Sequence, residues 1–183
     1  MNIFSKFLAL SMAIIAFSFV NVNAQGFSVE IPASVLEQRV EKKILGLPYY
    51  EVFDFISYDV DGSTVILAGK VFNGINKSSA EGAVKRIEGV TNVINNIEIL
   101  PPGRFDDSIR RNVYRSMHNT GGLSRYLWPV NPSIRIIVDR GHITLEGYVS
   151  NQTDANLANI AASTTPGSFS VTNNLVVDKE RAG

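Results

Sequence analysis

The residues best placed to bind something charged lie between positions 104 and 128. Arg111, Arg115 and His118 recur at helical spacing, so a helix over 104–118 would display them on one face, with Arg110 alongside and Ile109, Val113 and Met117 turned inward. A stripe of that kind suits an anionic ligand. Arg125, Tyr126 and Trp128 follow it, types that enrich binding surfaces and membrane interfaces. A solvated helix face would look the same, and loop aromatics pack onto their own domain at least as often as onto a partner.

Other chemistries lack their residues. His118 and His142 are the only histidines, they fall on different elements, and neither has a partner at metal-ligand spacing. With no cysteine in the chain, thiolate sites, disulfides and a cysteine-borne lipid anchor are excluded. The stretch Asp59-Val60-Asp61-Gly62-Ser63 resembles the start of a calcium loop, but its glycine comes two positions early and the closing glutamate is Lys70. No nucleophile elbow, phosphate loop or dinucleotide fingerprint occurs. No catalytic residue, metal or cofactor is therefore expected. Charge excludes a further class: 17 basic residues balance 17 acidic ones, unlike the strongly basic surfaces that hold nucleic acid. The imbalance is local, with seven basic against nine acidic residues over 33–100 and seven against six over 103–178, which makes the second half the better candidate for an anion.

The elements that must position these residues come as a repeat. At an offset of 78, residues 60–99 align with 138–177 without a gap, with identities that include Gly69/Gly147, Asn73/Asn151, Gly89/Gly167 and Asn95/Asn173. Upstream, Leu36, Val40 and Ile44 match Phe105, Ile109 and Val113 at an offset of 69, so the second copy is nine residues longer between its first helix and first strand, within Asn119–Pro132. In the first copy, Ser34 with Glu37 and Ser78 with Glu81 read as capping boxes that start helices. Phe55 to Val60 and Thr64 to Val71 alternate in polarity around Asp61-Gly62 and read as a hairpin. Val93 to Leu100 is the closing strand. The second copy reads as helix over 104–118, strands over 134–138 and 143–149, helix over 154–164 and one strand over 169–177. Gly69 and Gly147 inside strands imply close backbone approach, Gly89 and Gly167 left-handed helix exits, and Asn95-Asn96 and Asn173-Asn174 local bonds to backbone. The expected fold is α+β: two tandem αββαβ modules, each a three-stranded mixed sheet covered on one face by two helices.

At the start of the chain, Lys6, the apolar run Phe7 to Val20 broken only by Ser11 and Ser18, and Val22-Asn23-Ala24 form a secretory signal, too short to span a bilayer. The division is thus a signal peptide over 1–24, modules over 33–100 and 104–178, a Pro-Gly linker over 101–103 and a tail over 179–183. A periplasmic or secreted chain without a transmembrane helix is expected.

The hairpin Asp61-Gly62-Ser63-Thr64-Val65-Ile66-Leu67-Ala68-Gly69-Lys70-Val71 and the helix exit Ile87-Glu88-Gly89-Val90-Thr91-Asn92-Val93-Ile94-Asn95-Asn96-Ile97 resemble the BON domain of bacterial envelope proteins. Both motifs return in order in the second copy, and together the modules span about 33–178. The resemblance implies a non-catalytic envelope module associated with phospholipid surfaces, envelope integrity and osmotic stress. Arg110, Arg111, Arg115, Tyr126 and Trp128 are the candidate contacts to anionic phospholipid or an envelope protein. The alternative is a structural or chaperone-like protein that captures polypeptide along a sheet edge.

Overall fold

A computed structural model describes residues 31–182; the signal peptide expected over 1–24 lies outside the described residues. Helix α1 (Ala33–Leu45) buries Leu36, Val40 and Ile44, one turn apart. Strands β1 (Phe55–Asp61) and β2 (Thr64–Val71) pair antiparallel, with Asp61 opposite Thr64, so Gly62 and Ser63 form the turn and Gly62 takes φ +58°. After α2 (Ile75–Val84), β3 (Asn92–Ile99) runs parallel to β2. The second half repeats this with α3 (Arg104–Asn119), a 3-10 turn over Leu123–Leu127, β4 (Ile134–Asp139), β5 (His142–Val149) and α4 (Gln152–Ser163). Its last strand comes as β6 (Ser170–Asn173) and β7 (Val176–Val177), both parallel to β5. The architecture is the expected one, two αββαβ modules with mixed sheets.

Several local expectations are corrected. Neither capping box forms: α1 begins at Ala33 behind Pro32 with no side-chain cap, and Ser78 lies inside α2, where its hydroxyl donates to the Ile75 carbonyl at 3.1 Å. At α2 and α4 the repeated asparagine bonds the first turn instead. Asn73 Oδ1 accepts from Ile75 N at 3.1 Å, and Asn151 Oδ1 caps α4 by accepting from Asp154 N at 2.9 Å. Phe105, expected inward, is 51% exposed and packs against Phe169 with ring centroids 5.7 Å apart and planes tilted by 36°. The strand expected over 169–177 is interrupted where Leu175 N turns to Asn173 Oδ1; the ladder holds on both sides, through Asn174 N to Leu145 O and Asp178 N to Val149 O, each at 2.9 Å.

The repeated glycine and asparagine in the strands have the same duties in both modules. At Gly69 (φ +117°) and Gly147 (φ +109°) a Cβ would overlap the carbonyl oxygen of Phe55, the first residue of β1, or of Ser133, the residue before β4. Asn95 Nδ2 donates to Lys77 O, and Asn173 Nδ2 to Ala155 O, each at 3.0 Å, which ties the last strand to the second helix.

Each module has its own core, with Val65, Leu67 and Val71 against α1 and α2 in the first, and Ile143, Leu145 and Val149 against α3 and α4 in the second. Each such side chain, fully buried, contributes about 1.5–3 kcal/mol. The loop over 50–54 joins the modules. Val52 and Phe53 pack on the second core, Val52 O accepts from Ile136 N at 2.7 Å, and Lys70 meets Asp139 at 2.5 Å. The outer edge of β4 is therefore covered by the first module rather than left open.

Candidate functional site

Helix α3 is amphipathic because Ile109, Val113 and Met117 face the second core while Arg111, Arg115 and His118 stay exposed one flank away. The three exposed residues line one cleft of about 560 Å³ at the junction of the modules. Its other walls are Tyr114 on the same helix, Glu51 to Phe53 from the first module, and Leu127, Trp128 and Pro129 from the inserted segment. His118 stacks on Tyr114 with ring centroids 6.1 Å apart and planes at 15°, while Phe53 meets Tyr114 edge-on at 6.3 Å. Trp128 is 67% exposed at the rim. The cleft thus joins two arginines to an aromatic floor and a projecting indole.

Two of the five candidate residues are not part of that surface. Arg110 is 2% exposed: it spans the junction, donating Nη2 to Val138 O at 2.6 Å and Nη1 to Asp107 at 2.7 Å, with its guanidinium 4.6 Å from the centre of the Phe72 ring. Helical spacing puts it beside the apolar stripe, and the other module covers that flank. Tyr126 is fully buried in the second core; its hydroxyl donates to Asp154 Oδ2 at 2.5 Å and accepts from Ser150 N at 3.1 Å. Arg125 is engaged as well, pairing with Asp154 at 2.5 Å. Arg111, Arg115 and Trp128 remain. Tyr114 and the 51–53 loop were not among the candidates; Tyr114 sits one turn before His118, a signal present in the spacing, whereas the loop reaches the cleft only through the packing of the modules.

The junction beside the cleft is electrostatically tuned. Hydrogen bonding to Lys70 holds the Asp139 carboxyl below the usual carboxylate range, and the same bond raises Lys70 above an ordinary lysine. Burial pushes the Asp54 carboxyl up even though it accepts from the backbone N–H groups of Glu51, Phe72 and Asn73. Among the described residues no three His, Cys, Asp or Glu side chains converge as a metal site would require, and no helix is long and apolar enough to cross a membrane.

The family model described as the BON domain matches residues 33–101 and again residues 105–179. No curated protein matches the chain. Among solved structures, the C-terminal domain of CdsD, the structural protein of the type III secretion system of Chlamydia trachomatis, aligns over 81% of this chain and 100% of its own at 13% identity, with a TM-score of 0.31. A second structure of CdsD aligns over 80% of this chain and 94% of its own, again at 13% identity and a TM-score of 0.31. Superpositions that loose carry no functional argument.

Proposed function

The chain belongs to the BON-domain family of envelope-associated modules, and from that premise we propose that it is a non-catalytic periplasmic protein whose second module docks on anionic phospholipid, in support of envelope integrity under osmotic stress. The observation that carries the reading is the convergence of Arg111, Arg115 and the exposed Trp128 on one cleft. Near an anionic membrane each basic side chain contributes roughly 1 kcal/mol, so the two arginines supply about 2 kcal/mol. Millimolar binding already requires about 4 kcal/mol. The indole must therefore enter the interface, or several copies must engage together.

Cosedimentation with vesicles tests this. The chain starting at Gln25, the mature terminus that the signal over 1–24 predicts, is expected to pellet with phosphatidylglycerol vesicles at low salt, to release as salt rises, and to ignore phosphatidylcholine. Intact-mass measurement of the exported protein checks that terminus. A second reading, capture of polypeptide, draws on β3, whose outer edge has no partner among the described residues and whose Ile94 and Ile99 are exposed. Salt-insensitive binding to unfolded polypeptide, with no binding to either vesicle, would favour it.

A further inference from the structure

A second cleft between the modules, about 690 Å³ in volume, shares no lining residue with the first. Its walls include Ile44, Leu45, Tyr50, Phe55, Tyr58 and Tyr148, and its polar groups include Arg135, Arg181 and Glu41. That volume lies within the roughly 300–1,000 Å³ of small-molecule sites.

Arg135 sets the chemistry. Only 5% exposed, it lies 4.1 Å from the centre of the Tyr50 ring and makes one hydrogen bond among the described residues, from Nη1 to Glu51 O at 2.9 Å. It forms no ion pair among the described residues. Asp54, the acid close enough to influence it, is not on the cleft wall, and its oxygens are taken by three backbone N–H groups and Asn76 Nδ2. Most of the five-donor guanidinium fork thus has no partner among the described residues, on a side chain that lines the cleft. Arg181, in contrast, pairs with Glu41 and stacks on Tyr148. The wall therefore carries one guanidinium with no carboxylate in contact with it. The fold does not demand it: Arg135 pairs with Glu146 across its hairpin as Ser57 pairs with Ala68 in the first module, and Ser57 is exposed on the wall of this same cleft.

We propose that this cleft binds a single carboxylate borne on an apolar chain, a fatty-acid-like ligand, with the carboxylate on the Arg135 fork and the hydrocarbon among Tyr50, Tyr58 and Tyr148. A planar guanidinium matches a carboxylate in two parallel hydrogen bonds, one net charge calls for a monoanion, and the aromatic walls suit an apolar body. The site is separate from the arginines of α3 and does not depend on the membrane reading.

Calorimetric titration of the full mature chain, free of lipid, with decanoate and with uncharged decanol tests it. Decanoate is expected to bind one per chain and about tenfold or more tighter than decanol, the worth of the charge-assisted bonds. Arg135→Gln should bring the two to equal affinity. Because that change also removes the bond to Glu51 O, Ser57→Trp serves as the second variant: it fills the cleft from an exposed position, and should abolish decanoate binding with thermal unfolding unchanged. Decanoate binding should survive Arg111→Glu with Arg115→Glu. Equal affinity of the parent for acid and alcohol would overturn the proposal, as would decanoate binding unaffected by Ser57→Trp, or a peptide with a free C-terminus that binds tighter than decanoate and is blocked by the same tryptophan.

Discussion

The two modules follow one chain path yet meet the same hydrogen-bonding need with acids on different elements. In the first, Asp54 in the loop before β1 accepts from the backbone N–H groups of Phe72 and Asn73 and from Asn76 Nδ2, which fastens the start of α2 to the sheet. In the second, the position of Phe72 is Ser150 and that of Asn76 is Asp154, so the carboxylate sits on the helix. The Tyr126 hydroxyl takes the place of Asp54, accepting from Ser150 N and donating to Asp154, while Arg125 closes the group. The nine extra residues are therefore part of the core, through Leu123, Tyr126 and Leu127, before they leave Trp128 in solvent beside α3. A difference in length between repeats is thus a difference in structural support first, and it is that support which places the exposed indole.

The strongest break of this comparison is at what the modules share. Gly69→Ala and Gly147→Ala each force a Cβ onto a neighbouring carbonyl at positive φ, and each should cost about 3–4 kcal/mol in denaturant unfolding. A much milder loss at one of them would show that the hairpins are not equivalent. Next come the two solutions that differ. Asp54→Ala orphans buried backbone donors and should cost about 2–4 kcal/mol; Tyr126→Phe leaves Ser150 N and Asp154 each one partner short and should cost about 1–3 kcal/mol, both read by thermal melts.

The smallest effect concerns the link between modules. Asp139 has its pKa depressed by Lys70, so its stabilisation is present above the ordinary carboxylate value near about 4 and is lost as pH falls through the lower folded value. Lys70 is raised, so its share is present below the ordinary lysine value and is lost as pH rises through the higher folded one. Both side chains are partly exposed, which limits the pair to under about 1 kcal/mol. Asp139→Asn should lower neutral stability by up to about 1 kcal/mol, flatten the acid limb of a stability-against-pH curve by the same amount, and leave stability in strong acid nearly unchanged.

Local rules made much of this legible. Alternation around Asp61-Gly62 set the first hairpin, the in-strand glycines announced close backbone approach, and Asn95 and Asn173 bond backbone as their type suggests. Most of what escaped depends on contacts far apart in the chain. Arg110 adjoins an apolar stripe, and only the position of Phe72 and Val138 decides that it is covered. Tyr126 and Trp128 are both aromatic and two residues apart; a partner for the hydroxyl, Asp154, lies 28 residues on and draws one inward while the other stays out. The capping boxes failed because serine and glutamate at matching spacing occur inside helices too, whereas an asparagine repeated at 73 and 151 was the stronger start signal.

The proposed docking on lipid makes the two modules unequal: the second joins charge to an exposed indole, while the first has a groove lined by Arg39, Lys42, Lys43 and Arg86 but by no aromatic residue. The direct test is cosedimentation with phosphatidylglycerol vesicles at low salt, comparing Arg111→Glu with Arg115→Glu on α3 against Lys42→Glu with Lys43→Glu on α1. The α3 pair is expected to abolish binding and the α1 pair only to weaken it, with Trp128→Ala weakening it at every salt concentration. Binding that survives the α3 reversal and is lost on reversing α1 would contradict the proposal.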